Sequence, residues 1–287
     1  MPGRCEMTAF DPRTTLARPD LAANHLRGQI EADHYRDGQT FRVLKSVTPL
    51  FAEPRSDGAI QTELLFGETV TVLEQSSEGW SWGQSTCDSY VGYLLSDHLA
   101  PLRTPPTHRL SVLRSFVYPT PSIKHLPLDA LSFGAKVRVE GQTDRFSHLH
   151  GGGFVITDHL TPLDQKADDP AAFASLFLHS PYLWGGRSSL GLDCSALVQL
   201  SLQTCGLACP RDSDMQEQTL GEKLMVNDLD SLKRGDLVFW NGHVGIMAGK
   251  PEPAEKPTRL MRSSTAATRC GPRRPWLHGP CSMVCLW

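Results

Sequence analysis

Short runs of alternating polar and apolar residues are the clearest pattern in the first half of the chain. Thr69 to Leu73 alternates in this way, as a half-buried strand does. Tyr90 to Leu94 forms a second short run of strand-forming residues. Clusters of glycine and aspartate separate the runs, which is typical of turns. The pattern predicts small all-β units built from short strands.

Two stretches of this half of the chain occur twice, in the same order. Residues 66–72 (FGETVTV) resemble residues 133–139 (FGAKVRV). Residues 96–102 (SDHLAPL) resemble residues 157–163 (TDHLTPL). The spacing of the matches makes each unit about 60 residues long, which predicts two copies of one small barrel.

The repeat also divides the chain. We predict an N-terminal arm at residues 1–40, a first barrel at 41–103, a second barrel at 107–163 and a last domain at 170–287, atypical after about residue 250. The arm is polar, and a short helix is expected near Pro19 to Gln29. His98 and His159 hold equivalent places in the two copies, which favours a structural role over ligand binding.

Composition narrows the classes of function. The 287 residues are 40 % hydrophobic and 21 % charged, and a net charge of -3 gives no basic footprint for nucleic acid. No stretch approaches the roughly 20 apolar residues that cross a bilayer, so no membrane partner is expected.

The start of the chain lacks an apolar core behind basic residues, so we expect a cytoplasmic location and reduced cysteines. Cys205-x3-Cys209 is a poor zinc signal, so no metal or cofactor is expected.

The candidate chemistry begins with two predicted helix starts. Asp169 and Pro170 suit the N-cap and first position of one helix. Asp193 is expected to cap a second helix, which begins at Cys194 and ends near Gly206. A thiol at a helix N-terminus lies at the positive end of the helix dipole, which favours the nucleophilic thiolate.

A histidine follows about 50 residues after this cysteine. His243 lies at the start of a predicted strand, behind a buried strand that ends near Trp240. A free cysteine is most often only a buried apolar residue, and a lone histidine is usually structural. Together, however, a helix-capped Cys194 and His243 are a candidate nucleophile and base.

Five ordered segments of this region resemble the NlpC/P60 peptidases, which share a papain-like core. They are residues 182–186 (YLWGG), 193–195 (DCS), 210–216 (PRDSDMQ), 234–239 (RGDLVF) and 242–246 (GHVGI). The barrels resemble bacterial SH3-like domains, in the first copy through residues 66–68, 79–82 and 90–94. The resemblance implies an α+β catalytic domain, with helices on one side of an antiparallel sheet, behind two small all-β SH3-like barrels.

The resemblance also implies an activity. Family members hydrolyse bacterial cell-wall (murein) peptides, commonly between γ-linked D-glutamate and a diamino acid. Cys194 would attack the carbonyl, its own N–H would help to hold the oxyanion, and His243 would transfer protons. Members with SH3-like domains in front select stems with a free N-terminal L-Ala. The implied substrate-binding residues are Tyr182, Asp193, Ser195, Asp212 and Ser213 of the catalytic domain, with Asp193 as a partner for the amino group, and Tyr90 and Glu68 of the first barrel.

The chain departs from the family pattern after Met247. The family has a polar residue, often His followed by Ala, on the strand after the catalytic histidine, which it orients. Arg262 holds that place here, and a guanidinium accepts no hydrogen bond. The tail beyond shows no strand periodicity, and His278 is a poor substitute because prolines stand close on both sides.

A reading-frame slip is one explanation of this departure. If the codon for Leu260 ends in C, the bases for Met261 and Arg262 read His-Ala when shifted by one position. A codon for Leu260 that ends in another base excludes the slip. The alternative explanation is a truly divergent member of the family.

Three functions remain open. The intact Cys194 and His243 pair favours an active cysteine endopeptidase, which in the cytoplasm would recycle imported wall peptides. The damaged C-terminal strand favours a catalytically impaired protein that binds wall peptides. Shared acyl-enzyme chemistry also allows an acyltransferase or amidase. The sequence indicates neither an oligomeric state nor a preferred diamino acid.

Overall fold

An arm, two β domains and a C-terminal domain follow each other along the chain. The structure, a computed structural model, describes residues 10–224, 232–249 and 282–284. Within these ranges, no helix has the length and apolar character needed to cross a membrane.

The arm lies along the first β domain mainly as extended chain. Strand β1 (Leu21–Ala23) pairs in parallel with β2 (His34–Arg36), and a single 3-10 turn spans Asn24–Leu26. Leucines of the arm pack against Trp82 of the first β domain. The short helix expected near Pro19–Gln29 is present only as this 3-10 turn, and Leu21–Ala23 before it form a strand.

The first β domain is one seven-stranded sheet with the order β5-β4-β8-β7-β6-β3-β9. Its strands are β3 (Gln39–Val43), β4 (Val47–Phe51), β5 (Ile60–Leu65), β6 (Thr69–Gln75), β7 (Trp80–Ser85), β8 (Val91–Leu95) and β9 (Leu99–Pro101). Neighbouring strands are antiparallel. Val70 and Val72 of β6 are buried while Thr69 and Thr71 are half-buried, which confirms the strand predicted from the alternating pattern.

The second β domain is built from three small sheets, with the orders β13-β10-β17, β11-β12 and β14-β15-β16. Its strands are β10 (His108–Leu110), β11 (Arg114–Val117), β12 (Asp129–Ser132), β13 (Lys136–Val137), β14 (Val139–Gln142), β15 (Phe146–Leu149), β16 (Phe154–Ile156) and β17 (Leu160–Pro162). Leu110, Leu131 and Val155 lie in its core.

The two β domains share local structures, which confirms the repeat seen in the sequence. Gly67 (φ 74°) and Gly134 (φ 85°) hold equivalent turns in the left-handed conformation that favours glycine. Further on, each copy has a 3-10 turn that ends in a histidine, at His98 and His159. The Nδ1 atoms of these histidines lie 3.3 and 2.7 Å from a threonine and a serine hydroxyl of their own domains. Both histidines therefore have the structural role that the repeat predicts.

The C-terminal domain combines helices with an antiparallel sheet of order β20-β21-β22. Its elements are α1 (Pro170–Leu176), β18 (Arg187–Ser188), β19 (Gly191–Leu192), α2 (Cys194–Thr204), α3 (Ser213–Thr219), β20 (Leu237–Trp240), β21 (His243–Gly249) and β22 (Ser282–Val284). The buried helix α2 packs against both α1 and β21. The arrangement confirms an α+β domain. The carboxylate of Asp169 accepts hydrogen bonds from the first turn of α1, as predicted.

Residues of the tail form the third strand of this sheet. β22 runs antiparallel to β21, with Val284 opposite Ile246. The tail therefore contributes a strand at residues 282–284, although its sequence shows no strand periodicity. The positions singled out in the sequence, Arg262 and His278, lie outside the described residues.

A shared apolar core holds the three domains together. Leu65 of the first β domain and Phe133 of the second are buried among residues of the C-terminal domain, including Leu200 of α2. The rings of Phe133 and Phe177 meet edge to face, with centroids 5.5 Å apart. Both β domains therefore pack close to the helix that begins at Cys194.

Candidate active site

The candidate nucleophile is the first residue of α2. The carboxylate of Asp193 caps this helix by accepting a hydrogen bond from the N–H of Ala196 at 2.9 Å, which confirms the predicted helix start. Cys194 is 4 % exposed. The backbone N–H groups of Val244 and Ser195 and the hydroxyl of Tyr182 donate hydrogen bonds to its sulfur.

Burial sets the ionisation of this thiol. Loss of water around the sulfur raises the pKa of Cys194, and the hydrogen bonds to the sulfur offset the rise only in part. The helix dipole at the start of α2, on which the predicted thiolate rests, acts in the opposite direction. The resting nucleophile is therefore a thiol that needs a base.

The candidate base begins strand β21. His243 pairs with Trp240 of β20 across the sheet, and the two rings lie 5.7 Å apart. Burial lowers the pKa of His243, while the charge of Asp193 opposes this shift. The imidazole is therefore neutral at neutral pH and able to accept a proton. Because the N–H of Val244 reaches the sulfur of Cys194, the fold brings the start of β21 against the nucleophile.

The two pKa shifts predict a neutral thiol and imidazole pair rather than a thiolate and imidazolium pair. Alkylation of Cys194 by iodoacetamide should therefore rise with pH to a midpoint above the pKa of an unperturbed thiol. The measurement is the alkylation rate against pH, with the modified cysteine identified by mass spectrometry. A plateau of fast alkylation below pH 6 would instead indicate a resting ion pair.

Protein groups surround the carboxylate of Asp193. Arg211 donates to both of its oxygens, at 2.9 and 2.7 Å, and the N–H of Gly185 donates at 3.0 Å. The hydroxyl of Ser195 donates to the same carboxylate at 3.1 Å. The carboxylate of Asp193 is therefore bound by the start of α2 and by a buried arginine. The resemblance implies that the same carboxylate binds the amino group of the substrate.

Arg211, which is not among the predicted site residues, links this helix end to the first β domain. Its Nε donates to the hydroxyl of Thr62 in β5 at 2.6 Å, and its side chain is 1 % exposed. Its Nη1 also donates to the hydroxyl of Ser195 at 2.8 Å. The signal was available, because Arg211 lies inside one of the five segments that resemble the family.

Asp212 and Tyr90 meet across the domain boundary. The hydroxyl of Tyr90 donates to Oδ2 of Asp212 at 3.1 Å. Burial raises the pKa of Tyr90, so this hydroxyl stays a donor. Burial also raises the pKa of Asp212, against the opposing effects of Arg211 and Arg13. Ser213, next in the chain, is half-buried and begins α3.

Glu68 lies elsewhere, in a buried ion pair. Its carboxylate accepts hydrogen bonds from both terminal nitrogens of Arg187, at 2.7 and 2.9 Å, and from the N–H of Leu65, at 2.9 Å. Both charged side chains are almost fully buried, at 2 and 1 % exposure. This placement gives Glu68 a structural role between the first β domain and the C-terminal domain, not the substrate-binding role implied by the resemblance.

Six of the implied substrate-binding residues thus occupy one connected region, and Glu68 does not belong to it. Tyr182 contacts Cys194, and Asp193 and Ser195 contact Arg211. Asp212 follows in the chain, with Ser213 and Tyr90 beside it. In the described part of the chain, no cluster of histidine, cysteine or acidic residues is arranged to hold a metal ion.

Comparisons with known proteins agree with this geometry. Residues 179–268 match the NlpC/P60 family, and residues 50–99 match the bacterial dipeptidyl-peptidase Sh3 domain. The chain is 29 % identical over 214 residues to gamma-D-glutamyl-L-lysine dipeptidyl-peptidase of Bacillus subtilis (strain 168), covering 68 % of this chain and 71 % of the relative. It is 24 % identical to dipeptidyl-peptidase 6 of Lysinibacillus sphaericus, covering 72 % and 84 %.

A solved structure shows the same fold. The crystal structure of an NlpC/P60 family protein from Bacillus cereus ATCC 10987 superposes with a TM-score of 0.62 at 20 % identity, covering 73 % of this chain and 88 % of that one. Residues 179–268 are therefore an NlpC/P60 cysteine-peptidase domain, and residues 50–99 in front of it are a bacterial SH3-like domain.

Proposed function

We propose that this protein hydrolyses bacterial cell-wall peptides between γ-linked D-glutamate and a diamino acid, in stems with a free N-terminal L-alanine. The proposal rests on one observation. A continuous set of contacts connects Cys194 to the carboxylate of Asp212, which accepts a hydrogen bond from Tyr90. The relative from Bacillus subtilis, a gamma-D-glutamyl-L-lysine dipeptidyl-peptidase, supports cleavage of the same bond.

The chemistry starts from the neutral thiol of Cys194. His243 takes the thiol proton as the sulfur attacks the carbonyl carbon of γ-D-glutamate, and the backbone N–H of Cys194 helps to hold the oxyanion. The imidazolium gives its proton to the leaving amine as the carbon–nitrogen bond breaks, which leaves a thioester. A water molecule, deprotonated by His243, then hydrolyses the thioester and restores the thiol.

The region around Asp212 suits a free amino terminus. An ammonium group is a hydrogen-bond donor that an ionised, partly buried carboxylate binds well. Tyr90 reaches Asp212 from the first β domain, so that domain closes the end of the substrate site. A closed end admits the short N-terminal dipeptide unit of a stem and excludes a longer chain.

Blocking the substrate's amino group therefore should weaken turnover. Acetylation of the N-terminal L-alanine is expected to lower kcat/KM by about 10- to 100-fold, because a charge-assisted hydrogen bond is lost. The measurement compares kcat/KM for the free and acetylated peptides. Asp212→Asn should narrow the difference between them, whereas Asp57→Asn, an exposed acid of the first β domain, should leave it unchanged. Equal rates for both peptides would contradict the proposed specificity.

A cytoplasmic setting and a role in recycling imported wall peptides belong to the proposal. Among the described residues, Cys87, Cys194, Cys205 and Cys209 are free thiols, a state that persists in a reducing compartment. Free amino termini are a feature of wall peptides already released from the glycan, which favours a role after wall breakdown.

A second candidate is a protein that binds wall peptides without turnover. The sequence after Met247 favours it, because the polar residue that orients the base in the family is replaced by Arg262. Turnover of the free-amine peptide separates the two candidates, since both bind it.

A further inference from the structure

An arginine of the arm contacts the candidate amine-binding carboxylate. Nη1 of Arg13 lies 2.8 Å from Oδ2 of Asp212, and its Nη2 lies 2.8 Å from Oδ2 of Asp214. The same guanidinium also pairs with Asp11 at 2.7 Å. Arg13 lies outside residues 50–99 and 179–268, the two parts of the chain that match known families.

The backbone around Arg13 is anchored independently of this side chain. The carbonyl oxygen of Arg13 accepts the N–H of Val91 at 2.8 Å, and the carbonyl oxygen of Thr14 accepts the side-chain amide of Gln84 at 2.8 Å. Leu16, three residues further on, is buried against Trp82. The first β domain therefore fixes where the guanidinium reaches the C-terminal domain.

Arg13 leaves room for a second cation at Asp212. Tyr90 and Arg13 both donate to Oδ2, and no described residue donates a hydrogen bond to Oδ1. Asp11, Asp193, Asp212 and Asp214 carry four negative charges against the two positive charges of Arg13 and Arg211, so the cluster still attracts an ammonium group. Arg13 can therefore stay bound to Asp212 while a cationic ligand binds the same carboxylate.

We propose that Arg13 is a positioning residue, which fixes the Asp212 carboxylate in its ionised form for the N-terminal ammonium of the substrate. The inference rests on the proposed function and adds the arm to the substrate site. Burial pushes the pKa of Asp212 up, and Arg13 is one of the cations that push it down. The other groups that face Asp212 are Arg211 of the C-terminal domain and Tyr90 of the first β domain.

The first test needs no substrate. In Arg13→Gln, the titration of the Asp212 carboxyl, followed by carbon-13 NMR of the free protein, should move to higher pH, because a lowering charge is removed. Arg13→Lys keeps the charge and should restore most of the wild-type midpoint. Arg18→Gln is the matched control, since Arg18 anchors the same arm through Glu74, Asp20 and Trp82 and has no contact with Asp212. An unchanged midpoint in Arg13→Gln overturns the proposal.

The second test is kinetic. With L-Ala-γ-D-Glu-L-Lys as substrate, Arg13→Gln should raise KM about 10-fold with kcat nearly unchanged, and Arg18→Gln should leave KM unchanged. A lower KM in Arg13→Gln would mean that the guanidinium competes with the substrate, and an unchanged KM would mean that it plays no part; both overturn the proposal. If the wild-type protein neither cleaves nor binds the peptide, the proposed function fails, and the titration still decides whether Arg13 controls Asp212.

Discussion

Cys194→Ala is expected to lower the hydrolysis of L-Ala-γ-D-Glu-diamino acid peptides by about 10⁴-fold or more. The sulfur is the only group of the site that forms the covalent intermediate, and neither His243 nor Tyr182 replaces it as a nucleophile. The fold should survive, because alanine keeps the start of α2 and the Asp193 cap intact. The measurement is kcat/KM for the purified variant, beside a thermal unfolding curve.

Cys209→Ala is the matched control for this variant. Cys209 is a second buried free cysteine of the same domain, 3 % exposed, and burial raises its pKa to about 12. Its thiol donates to the carbonyl oxygen of Pro210 and takes no part in the proposed mechanism, so its removal should cost some stability and little activity. Equal loss of activity in the two variants would contradict the role given to Cys194.

Glu68→Gln is expected to destabilise the protein by about 3–5 kcal/mol, because it leaves the charge of Arg187 buried without a counter-charge. Both partners lie in water-excluded surroundings between the first β domain and the C-terminal domain, where water cannot solvate the guanidinium. The measurement is the shift in the urea midpoint of unfolding. KM for the wall peptide, measured where the variant is folded, should stay unchanged.

Two further variants make this prediction specific. Glu68→Gln combined with Arg187→Met removes both charges and should recover much of the lost stability. Glu53→Gln removes one partner of an exposed pair of the same domain, 3.8 Å from Arg55, and should leave the midpoint unchanged. If Glu68→Gln raised KM without a shift in the midpoint, the substrate-binding role would be correct after all.

Local signals were enough to predict the main elements of the site. Asp193 before Cys194 is a helix start that depends only on neighbouring residues, and the structure shows that cap. His243 begins a strand in the structure as the sequence predicts, and the run from Val244 to Met247 that follows it is buried. The internal repeat was equally visible, since both copies keep the glycine that their turn requires.

Contacts between distant parts of the chain could not be predicted in this way. Arg187 and Glu68 are separated by 119 positions, and Arg13 and Asp212 by 199. No local pattern marks such pairs, because each depends on how whole domains pack. Without its partner, Glu68 was interpreted only through the family resemblance, which led to the wrong role.

The ionisation of Cys194 shows the same limit. The neighbouring residues alone place Cys194 at a helix start, and this position favours the thiolate. Burial depends on the packing of α2 against β21, and it favours the thiol. Burial, which raises the pKa of Cys194 in the structure, is the effect that the sequence does not contain. The arm is a similar case, because its leucines pack against Trp82, which is distant in the sequence.

The most direct test of the central claim is to identify the products formed by the wild-type protein. Purified protein is incubated with L-Ala-γ-D-Glu-L-Lys and with L-Ala-γ-D-Glu-meso-diaminopimelate, and the products are analysed by mass spectrometry, with Cys194→Ala as the control. Release of the dipeptide L-Ala-γ-D-Glu and the free diamino acid, by the wild-type protein alone, is the predicted result. Intact peptide that remains bound to a folded protein would contradict the peptidase assignment and favour a protein that binds wall peptides without turnover.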